Sequence, residues 1–457
     1  MVTVQDMTTG PITGHFRQLA VPAAVGMIFS TLYNVIDVWF AGLLNTASQA
    51  GMAVAFQIFF ILVTVGFGLS AAMSALLGNA LGARDRPGAS RLAAQGISYG
   101  LMGSLLLMGM GYWGGPCIVA FLSAPGPYQD AAIGYLHLLL LATPGFVLAF
   151  GINGMLQAQG DTKSMQYAMA AAFFVNIGLN PLLMYGIGGL WHGMGLDGIA
   201  MATVLSQSGV MVFLLFRLLR SDLGRHISTA DLIPTATKLA SITAQLAPTT
   251  FAMSVLTIAG FVVQYYMKSF GTSAVAAYGL ALRIEQLFLL PALAVTGSLL
   301  PIAAQNYGAG AHDRVRQALF DCWRIGLIYL AIACPVLWLG AAQLIGIFTD
   351  DASAIASGVG YLRVDGLLLP AYMMLFAVNS FLQALKRPIW TLWIGLYRQA
   401  FGVATYVWVF VHCLGTGVTG VWYGIATSVV TGLMLSLWVA DKVTRPLIGG
   451  LFGPDKR

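Results

Sequence analysis

One aspartate is a clear candidate for chemistry, because it lies within an apolar stretch of the chain. It ends the run Tyr33-Asn34-Val35-Ile36-Asp37. Tyr33 and Asp37 are four residues apart, so they share a face of a helix. An aspartate at the centre of a membrane-spanning helix costs about 2.5–3.5 kcal/mol, and it is therefore expected to face protein or water. We predict that Asp37 carries a proton, or binds a sodium ion through oxygen ligands when it is ionised.

Polar residues in later apolar stretches of the first half fit a network around this acid. Asn153 and Gln157 are four residues apart, and so are Asn176 and Asn180. Thr203 lies in the middle of a further stretch. Amides and hydroxyls donate hydrogen bonds to a carboxylate. The alternative is a structural cluster that holds helices together in the membrane.

The second half carries its own charged residues inside apolar stretches. Arg283 and Glu285, the single glutamate of the chain, are two residues apart and do not face each other on a helix. We expect ion pairing between helices, for instance of Arg283 with Asp365. The functional alternative is that Glu285 lines a cavity and attracts cationic substrates.

A substrate cavity in such a protein would be lined by the polar and charged residues of these stretches. The residues that we assign to it are Tyr33, Asn34, Gln57, Gln157, Arg283, Glu285, Asn379 and Gln383.

The elements that carry these residues are predicted to be membrane-spanning helices. The 457 residues are 58% hydrophobic and only 8% charged, whereas about a quarter of a soluble chain is charged. A spanning helix needs roughly 20 apolar residues. Twelve such stretches are found, near residues 15–40, 51–77, 92–113, 130–156, 163–187, 195–219, 241–265, 277–303, 316–341, 355–384, 391–413 and 418–440.

The second half of the chain repeats the first half at a constant offset of 226 positions. Matching positions are Pro22 and Pro248, Pro144 and Pro370, Asn153 and Asn379, Gln157 and Gln383, and Gly198 and Gly424. Six helices per half is an even number, so the repeats are expected to be parallel, related by a pseudo-two-fold axis along the membrane normal. We predict a first lobe over 1–220, a cytoplasmic linker over 221–238 and a second lobe over 239–457.

The repeat separates scaffold from candidate chemistry. Asp37 corresponds to Val263. The two amides of the fifth stretch are also replaced, Asn176 by Gly402 and Asn180 by Tyr406. Because the acid and these amides occur in one copy only, we expect the first lobe to carry the ion.

The excess of basic residues is best explained by orientation in a membrane. When loops are assigned alternately to two sides, eighteen of the 22 Lys and Arg residues fall on one side. The positive-inside rule then places both termini in the cytoplasm. Nucleic acid is not an expected partner.

No pattern for an enzyme or a cofactor is present. The four cysteines have no CxxC spacing, and no histidine cluster accompanies them. There is no HExxH motif and no Ser/His/Asp grouping that would serve a membrane-embedded transferase. We therefore expect neither a metal nor an organic cofactor, with a proton or sodium ion as the coupling ion.

Taken in order, the motifs resemble those of the multidrug and toxic compound extrusion (MATE) family. The resemblance covers residues 12–445 and rests on Pro22 with Asp37, the loop Gly82-Ala83-Arg84, the stretch 153–162 and the stretch 176–183. It implies an antiporter with two six-helix lobes, in which cation entry drives the export of organic, often cationic, compounds. We expect a monomer in the inner membrane, whose partners are membrane lipids and small-molecule substrates.

The resemblance also implies residue roles. In the DinF-like branch, which this chain resembles, the acid of the first helix couples ion entry to transport, a role that falls on Asp37. The resemblance also implies the polar residues that support this acid, which are Asn153, Asn176, Asn180 and Thr203. Asn180 stands where many members of the family have an aspartate, and the seventh helix lacks the acid of the NorM-like branch.

A flippase for lipid-linked oligosaccharides or polysaccharides is the alternative transporter. Such a protein would line its cavity with basic residues that bind pyrophosphate. Arg283, Arg363 and Arg398 are the candidates, and their convergence on one site would favour this function.

Overall fold

The structure is a computed structural model that describes residues 5–122, 126–188 and 191–453. Helices account for almost all of the described chain. In this part of the chain, strands occur only as a two-residue hairpin, in which β1 (Gly186–Ile187) pairs antiparallel with β2 (Trp191–His192).

Seven helices precede the segment between the two halves of the chain. They are α1 Ile12–Leu44, α2 Thr46–Gly82, α3 Arg86–Leu122, α4 Pro127–Leu140, α5 Thr143–Ala158, α6 Lys163–Tyr185 and α7 Leu196–Leu219. Two short 3-10 helices follow, Gly224–His226 and Thr229–Leu232.

The second half repeats this order of helices. They are α8 Ala236–Lys268, α9 Thr272–Gly308, α10 His312–Gly346, α11 Ala352–Gly366, α12 Leu369–Ala384, α13 Ile389–Gly395, α14 Val403–Trp408 and α15 Val418–Ile448. Two π-helical segments flank α14, Leu396–Gly402 and Val409–Cys413.

These helices agree with the twelve predicted membrane spans. Within the described residues, nine helices are long and apolar enough to cross a membrane, and two bent pairs add two more spans. The twelfth is the continuous helical stretch from α13 to the second π-helical segment. The prediction of an all-α integral membrane protein is confirmed.

The two bent pairs arise at the same position of the repeat. The bend is 46° between α4 and α5, and 51° between α11 and α12. In each pair the second helix carries a proline in its first turn, Pro144 in α5 and Pro370 in α12. Proline lacks the N–H of a continuing helix but suits a helix start, so the chain ends one helix and begins another.

The chain divides into two compact units. The first contains residues 1–6 and Pro22–Leu246, and the second contains Met7–Val21 and Ala247–Arg457. These limits differ from the predicted lobes, because the start of α1 belongs to the second unit. The boundaries inside α1 and α8 fall at Pro22 and beside Pro248, which are equivalent positions of the repeat.

The segment Met7–Val21 is fixed within the second unit by polar contacts. The backbone N–H of Met7 donates to Oε1 of Gln305 (2.9 Å), and its carbonyl accepts from Nδ2 of Asn306 (3.0 Å). The Arg314 guanidinium donates to the carbonyl of Gly10 (3.0 Å). These long-range bonds explain why Met7–Val21 packs with the second half of the sequence.

The predicted linker over 221–238 is held against α3 of the first unit. The Gln95 side chain donates to the carbonyls of Asp231 (2.5 Å) and Ile233 (2.6 Å) and accepts from the N–H of Thr235 (2.8 Å). Ser98 donates to the carbonyl of Leu232 (2.6 Å). A sequence rich in polar residues is thus bonded along much of its length rather than left as a free tether.

Candidate ion-binding site

The first unit buries the predicted acid together with its neighbour on the helix face. Tyr33 and Asp37 of α1 are 3% and 4% exposed, whereas Asn34, Val35 and Val38 are exposed. The i,i+4 spacing therefore brings the two polar side chains to the buried face of α1, as predicted. Tyr33 belongs to one apolar cluster of this unit and Phe40 to another, so Asp37 lies along the helix between two packed regions.

Two helices supply hydrogen bonds to the carboxyl group of Asp37. Nδ2 of Asn180, on α6, donates to Oδ1 (2.9 Å). Oγ1 of Thr203, on α7, donates to Oδ2 (3.1 Å). Both donors are buried. Each carboxyl oxygen thus has one neutral donor, and each donor comes from a different helix.

The network continues from Asn180 back to Tyr33. Nδ2 of Asn180 also donates to Oδ1 of Asn176 (3.0 Å), and Nδ2 of Asn176 donates to the hydroxyl of Tyr33 (3.1 Å). Asn176 and Asn180 are one turn apart on α6, so their amides line up along a single face. These bonds form one connected chain, which we call the Asp37 network and which consists of Tyr33, Asn176, Asn180, Asp37 and Thr203.

The Asp37 network contains no internal cation. None of the four ion pairs among the described residues includes Asp37, and its hydrogen-bond donors are an amide and a hydroxyl. A buried carboxylate whose partners are all neutral lacks a countercharge. An exchangeable proton or small cation could supply that charge, and this is the chemistry that the arrangement allows.

Asn153 does not join this network. Its side chain is buried, but its Oδ1 has no hydrogen-bond partner within the described part of the chain. The equivalent Asn379 of the second unit has the same unpartnered Oδ1. Gln157 and Gln383, one turn further along α5 and α12, are both half-buried. Because Asn153 and Asn379 have the same environment in both repeats, they fit a common structural role better than a role as ligands of Asp37, which occurs in one repeat only.

Three residues assigned to a substrate cavity are exposed on their own unit. They are Asn34, Gln57 and Arg283. The Asn34 amide donates to the carbonyl of Ser30 (2.9 Å) within its own helix. Tyr33, which was assigned to the same cavity, is instead bonded inside the Asp37 network.

The expected ion pair of Arg283 with Asp365 is absent among the described residues. Arg283 is exposed on α9, whereas Glu285 on the same helix is buried. The carboxyl of Glu285 accepts from the Tyr361 hydroxyl (2.6 Å), and that of Asp365 accepts from the Tyr372 hydroxyl (3.2 Å). Arg283 and Glu285 are two residues apart on a helix and therefore lie on different faces. The arginine thus points away from the buried acids.

Tyr361 and Tyr372 were not singled out from the sequence. One signal was available, because Tyr361 precedes Asp365 by four residues, the spacing of Tyr33 and Asp37. Tyr372 lies on the next helix of the bent pair, so it reaches Asp365 only through the bend between α11 and α12.

The sequence model of the MatE family matches residues 22–182 and 248–408. The two matched segments lie 226 positions apart, so the family unit occurs twice at the offset of the internal repeat. Together they cover most of the chain.

Curated relatives match over nearly the full length. The FAD transporter of Shewanella oneidensis is 26% identical over 96% of this chain and 97% of its own. The probable multidrug resistance protein NorM of Thermotoga maritima is 22% identical over 92% of this chain and 90% of its own.

Among solved structures, a multidrug resistance MATE family transporter in an outward-facing conformation has a similar fold. The TM-score is 0.89 at 22% sequence identity, with 97% of this chain and 98% of the other covered.

Proposed function

Because this chain belongs to the MatE family of multi-pass membrane transporters, we propose that it is a cation-coupled antiporter that exports organic compounds. The observation that carries the proposal is the Asp37 network, in which a buried carboxyl group has only neutral partners. Charge that enters or leaves this site must come from an exchangeable ion. The proposal extends to a plasma-membrane location with both termini in the cytoplasm.

We propose a proton as the coupling ion. Both oxygens of Asp37 already accept from donors, and the network offers Oδ1 of Asn180 as its unpartnered oxygen. A sodium ion prefers several oxygen ligands, and the asparagine at position 180 supplies no second carboxylate. One proton moving inwards across the membrane gains about 2.3 kcal/mol per 100 mV of potential.

Protonation of Asp37 would act on α1. A neutral carboxyl group accepts weaker hydrogen bonds than a carboxylate, so its hold on Asn180 and Thr203 would loosen. Pro22 lies within the same helix, at the boundary of the two compact units. A proline inside a helix removes a backbone hydrogen bond, and we propose that α1 changes its bend there when Asp37 is neutralised.

For the substrate we propose drug-like organic compounds, cations included. The support is the similarity to a multidrug resistance protein. Because the chain is also similar to a FAD transporter, FAD should be tested among the substrates.

A polysaccharide or lipid-linked flippase is not favoured by the arginines of the second unit. Arg283 is exposed, the Arg363 guanidinium lies 5.2 Å from the Trp338 ring, and the Arg398 guanidinium lies 5.6 Å from the Tyr372 ring. The three side chains have different surroundings, so they do not form the common basic site that pyrophosphate would need.

The decisive experiment is transport by the purified full-length chain in liposomes. We would measure uptake of a cationic dye and of FAD under an imposed proton gradient and, separately, under a sodium gradient. Asp37→Asn is expected to reduce proton-driven transport to the level of empty liposomes, because the amide cannot release a proton. Asp130→Asn, which neutralises an exposed acid in the first turn of α4, should transport like the parent.

Full proton-driven transport by Asp37→Asn would refute the coupling role. Transport driven by sodium alone and lost in Asp37→Asn would keep the site and replace the proton by sodium.

A further inference from the structure

The second unit contains a cavity at the start of α10 that the proposed function does not use. Its volume is about 660 Å³. The lining comes from residues 310–314 and Arg316, around the start of α10, and from Ile448 and Gly449, at the end of α15. All of these residues belong to the second unit. The cavity is therefore separate from the Asp37 network, which lies in the first unit.

The same turn occurs before α3 in the first unit, and there a carboxylate closes it. Asp85 and Ala311 are equivalent positions of the repeat. Their backbone N–H groups make the same bond, to the carbonyls of Ala80 and Asn306 (both 2.9 Å). Oδ1 of Asp85 also accepts from the backbone N–H of Gly88 (2.9 Å) and so caps the start of α3. The first unit thus shows where an acidic oxygen fits this turn.

The second unit has no carboxylate at this position. Alanine at position 311 offers no side-chain oxygen to cap α10. Within the described residues, the backbone N–H groups of Asp313 and Arg314 donate to no acceptor. Arg314 is the repeat equivalent of Gly88, whose N–H binds Asp85. Free N–H groups at a helix start attract anions, so the cavity lacks an acidic oxygen that its counterpart contains.

Two arginines add positive charge to this helix start. The Arg314 guanidinium donates through Nε and Nη2, and among the described residues its Nη1 has no acceptor. The Arg316 guanidinium donates to the Ile448 carbonyl and pairs with Asp313. The Asp313 side chain is 93% exposed, and an ion pair to so exposed an acid is weak. Two arginines and one acid leave the lining with a net positive charge.

An apolar surface continues from the cavity along α10. Phe320 follows Arg316 by four residues and therefore lies on the same face of the helix. Its exposed ring lies 6.3 Å from the exposed ring of Phe452. Further back on α15, the Lys442 ammonium lies 4.4 Å from the centre of the exposed Trp438 ring. Tryptophan beside basic residues is typical of the level of the lipid headgroups.

We propose that this cavity binds the phosphate group of an anionic membrane lipid. One phosphate oxygen takes the place that the Asp85 carboxylate has in the first unit and accepts from the backbone N–H of Arg314. A second oxygen accepts from the guanidinium of the same arginine. The acyl chains then follow the aromatic surface of Phe320 and Phe452 into the bilayer. The turn lies on the side that we predict to be cytoplasmic, where anionic lipids carry the negative surface potential.

A free phosphate ion could use the same donors, but it would gain nothing from the aromatic surface. Thermal unfolding of the purified full-length chain in detergent separates the two sources. We would add dioleoyl phosphatidylglycerol, dioleoyl phosphatidylcholine or inorganic phosphate. Phosphatidylglycerol is expected to raise the melting temperature most. Phosphatidylcholine should have less effect, because its choline group cancels the charge of its phosphate.

Equal stabilisation by phosphatidylglycerol and by inorganic phosphate would overturn the lipid as the source. Absence of stabilisation by both would overturn the phosphate site itself.

Ala311→Asp gives the second unit the acid that the first unit has. Without lipid, the variant should melt at a higher temperature than the parent, because the new carboxylate caps α10. It should also need roughly tenfold more phosphatidylglycerol for half of the stabilisation, the equivalent of one lost hydrogen bond to a charged group. The matched control is Ala309→Asp, which adds the same charge to an exposed position of this turn outside the cavity lining. The control should respond to the lipid like the parent.

Three outcomes with these variants would contradict the site. The first is an unchanged response of Ala311→Asp to phosphatidylglycerol. The second is an equal loss of response in Ala311→Asp and Ala309→Asp, which would indicate a general effect of charge. The third is a lower melting temperature of lipid-free Ala311→Asp, which would show that the start of α10 does not accept an acidic oxygen.

Discussion

At the scale of single residues, Asp37 is defined by the neutrality of its partners. Asn180 and Thr203 each donate one hydrogen bond, at 2.9 and 3.1 Å. Hydrogen bonds to charged groups are worth about 1.5–3 kcal/mol each. Loss of either donor should therefore change the ion chemistry of the acid without removing the acid.

Thr203→Val tests the donor from α7 while keeping the shape of the side chain. We expect the variant to fold and to transport several-fold more slowly under a proton gradient, because a bond worth about 1.5–3 kcal/mol to the carboxylate is lost. Thr203→Ser retains the hydroxyl and should recover most of the rate. Equal rates for the valine and serine variants would show that the hydroxyl of Thr203 has no part in coupling.

Asn180→Asp tests why this chain has an amide next to its acid. The substitution places a second carboxyl group at hydrogen-bond distance from Oδ1 of Asp37. Two carboxylates at one site repel each other unless a proton or a cation lies between them. We expect sodium to stimulate transport by Asn180→Asp but not by the parent, measured as dye uptake with sodium against choline. Conservative Asn180→Gln provides the uncharged control, and sodium stimulation of that variant would contradict the explanation.

At the scale of elements, the repeat preserves glycines where helices approach closely. A Cβ on Gly198 of α7 would lie 2.6 Å from the backbone carbon of Leu183 on α6. Its repeat equivalent, Gly424 of α15, would place a Cβ 2.6 Å from Cα of Val407 on α14. The pairing of Gly198 with Gly424 in the repeat therefore reflects a backbone contact that both units need. In the first unit this contact joins the helices that hold Asn180 and Thr203.

Gly198→Ala should destabilise the protein by about 1–3 kcal/mol, the usual effect of overpacking. Backbone atoms cannot move aside as a flexible side chain would, so α6 and α7 must separate. The measurement is thermal unfolding in detergent. Gly209→Ala is the control on the same helix, because nothing lies within 4 Å of its added Cβ. An unchanged melting temperature for Gly198→Ala would contradict the close approach of the two helices.

A second element, the turn after α2 and after α9, has the same backbone in both repeats with different residues. Arg84 has φ 59° and its equivalent Gly310 has φ 69°. Left-handed backbone favours glycine. The first unit nevertheless has arginine there, and a basic residue suits the side of the membrane that we predict to be cytoplasmic.

At the scale of the whole molecule, the chain passes between its two compact units within helices, and the polar segment 221–238 belongs to the first unit. The segment 221–238 is bonded to α3, and the unit boundaries fall inside α1 and α8. Twelve spans place both termini on the same side of the membrane but do not say which side that is. The distribution of basic residues among the loops determines it. Eighteen of 22 basic residues on one side predict that this side faces the cytoplasm.

Cysteine labelling tests that orientation. In a chain whose four cysteines are replaced by alanine, Asp350→Cys should react with a membrane-impermeant maleimide in intact cells. Thr229→Cys should react only after the membrane is permeabilised. Both positions are exposed outside the spanning helices, so accessibility depends on side alone. The reverse pattern would place the termini outside.

Properties that are local to one helix followed from the sequence. Apolar length gave the spans, the offset of 226 gave the repeat, and the i,i+4 spacing placed Tyr33 with Asp37 and Asn176 with Asn180. These inferences hold because the helix period fixes which residues share a face and because the bilayer fixes how long an apolar stretch must be.

Partnerships between helices were decided only by the tertiary structure. Asn180 and Thr203 reach Asp37 while Asn153 does not, although all three looked equally suitable in the sequence. Asp365 meets Tyr372 across the bend between α11 and α12. It meets Glu285 rather than Arg283 because α9 turns Glu285 to its buried face and Arg283 to an exposed one. The rotation of each helix, its bends and its π-helical turns determine which faces meet, and these depend on packing across the whole unit rather than on the period of a single helix.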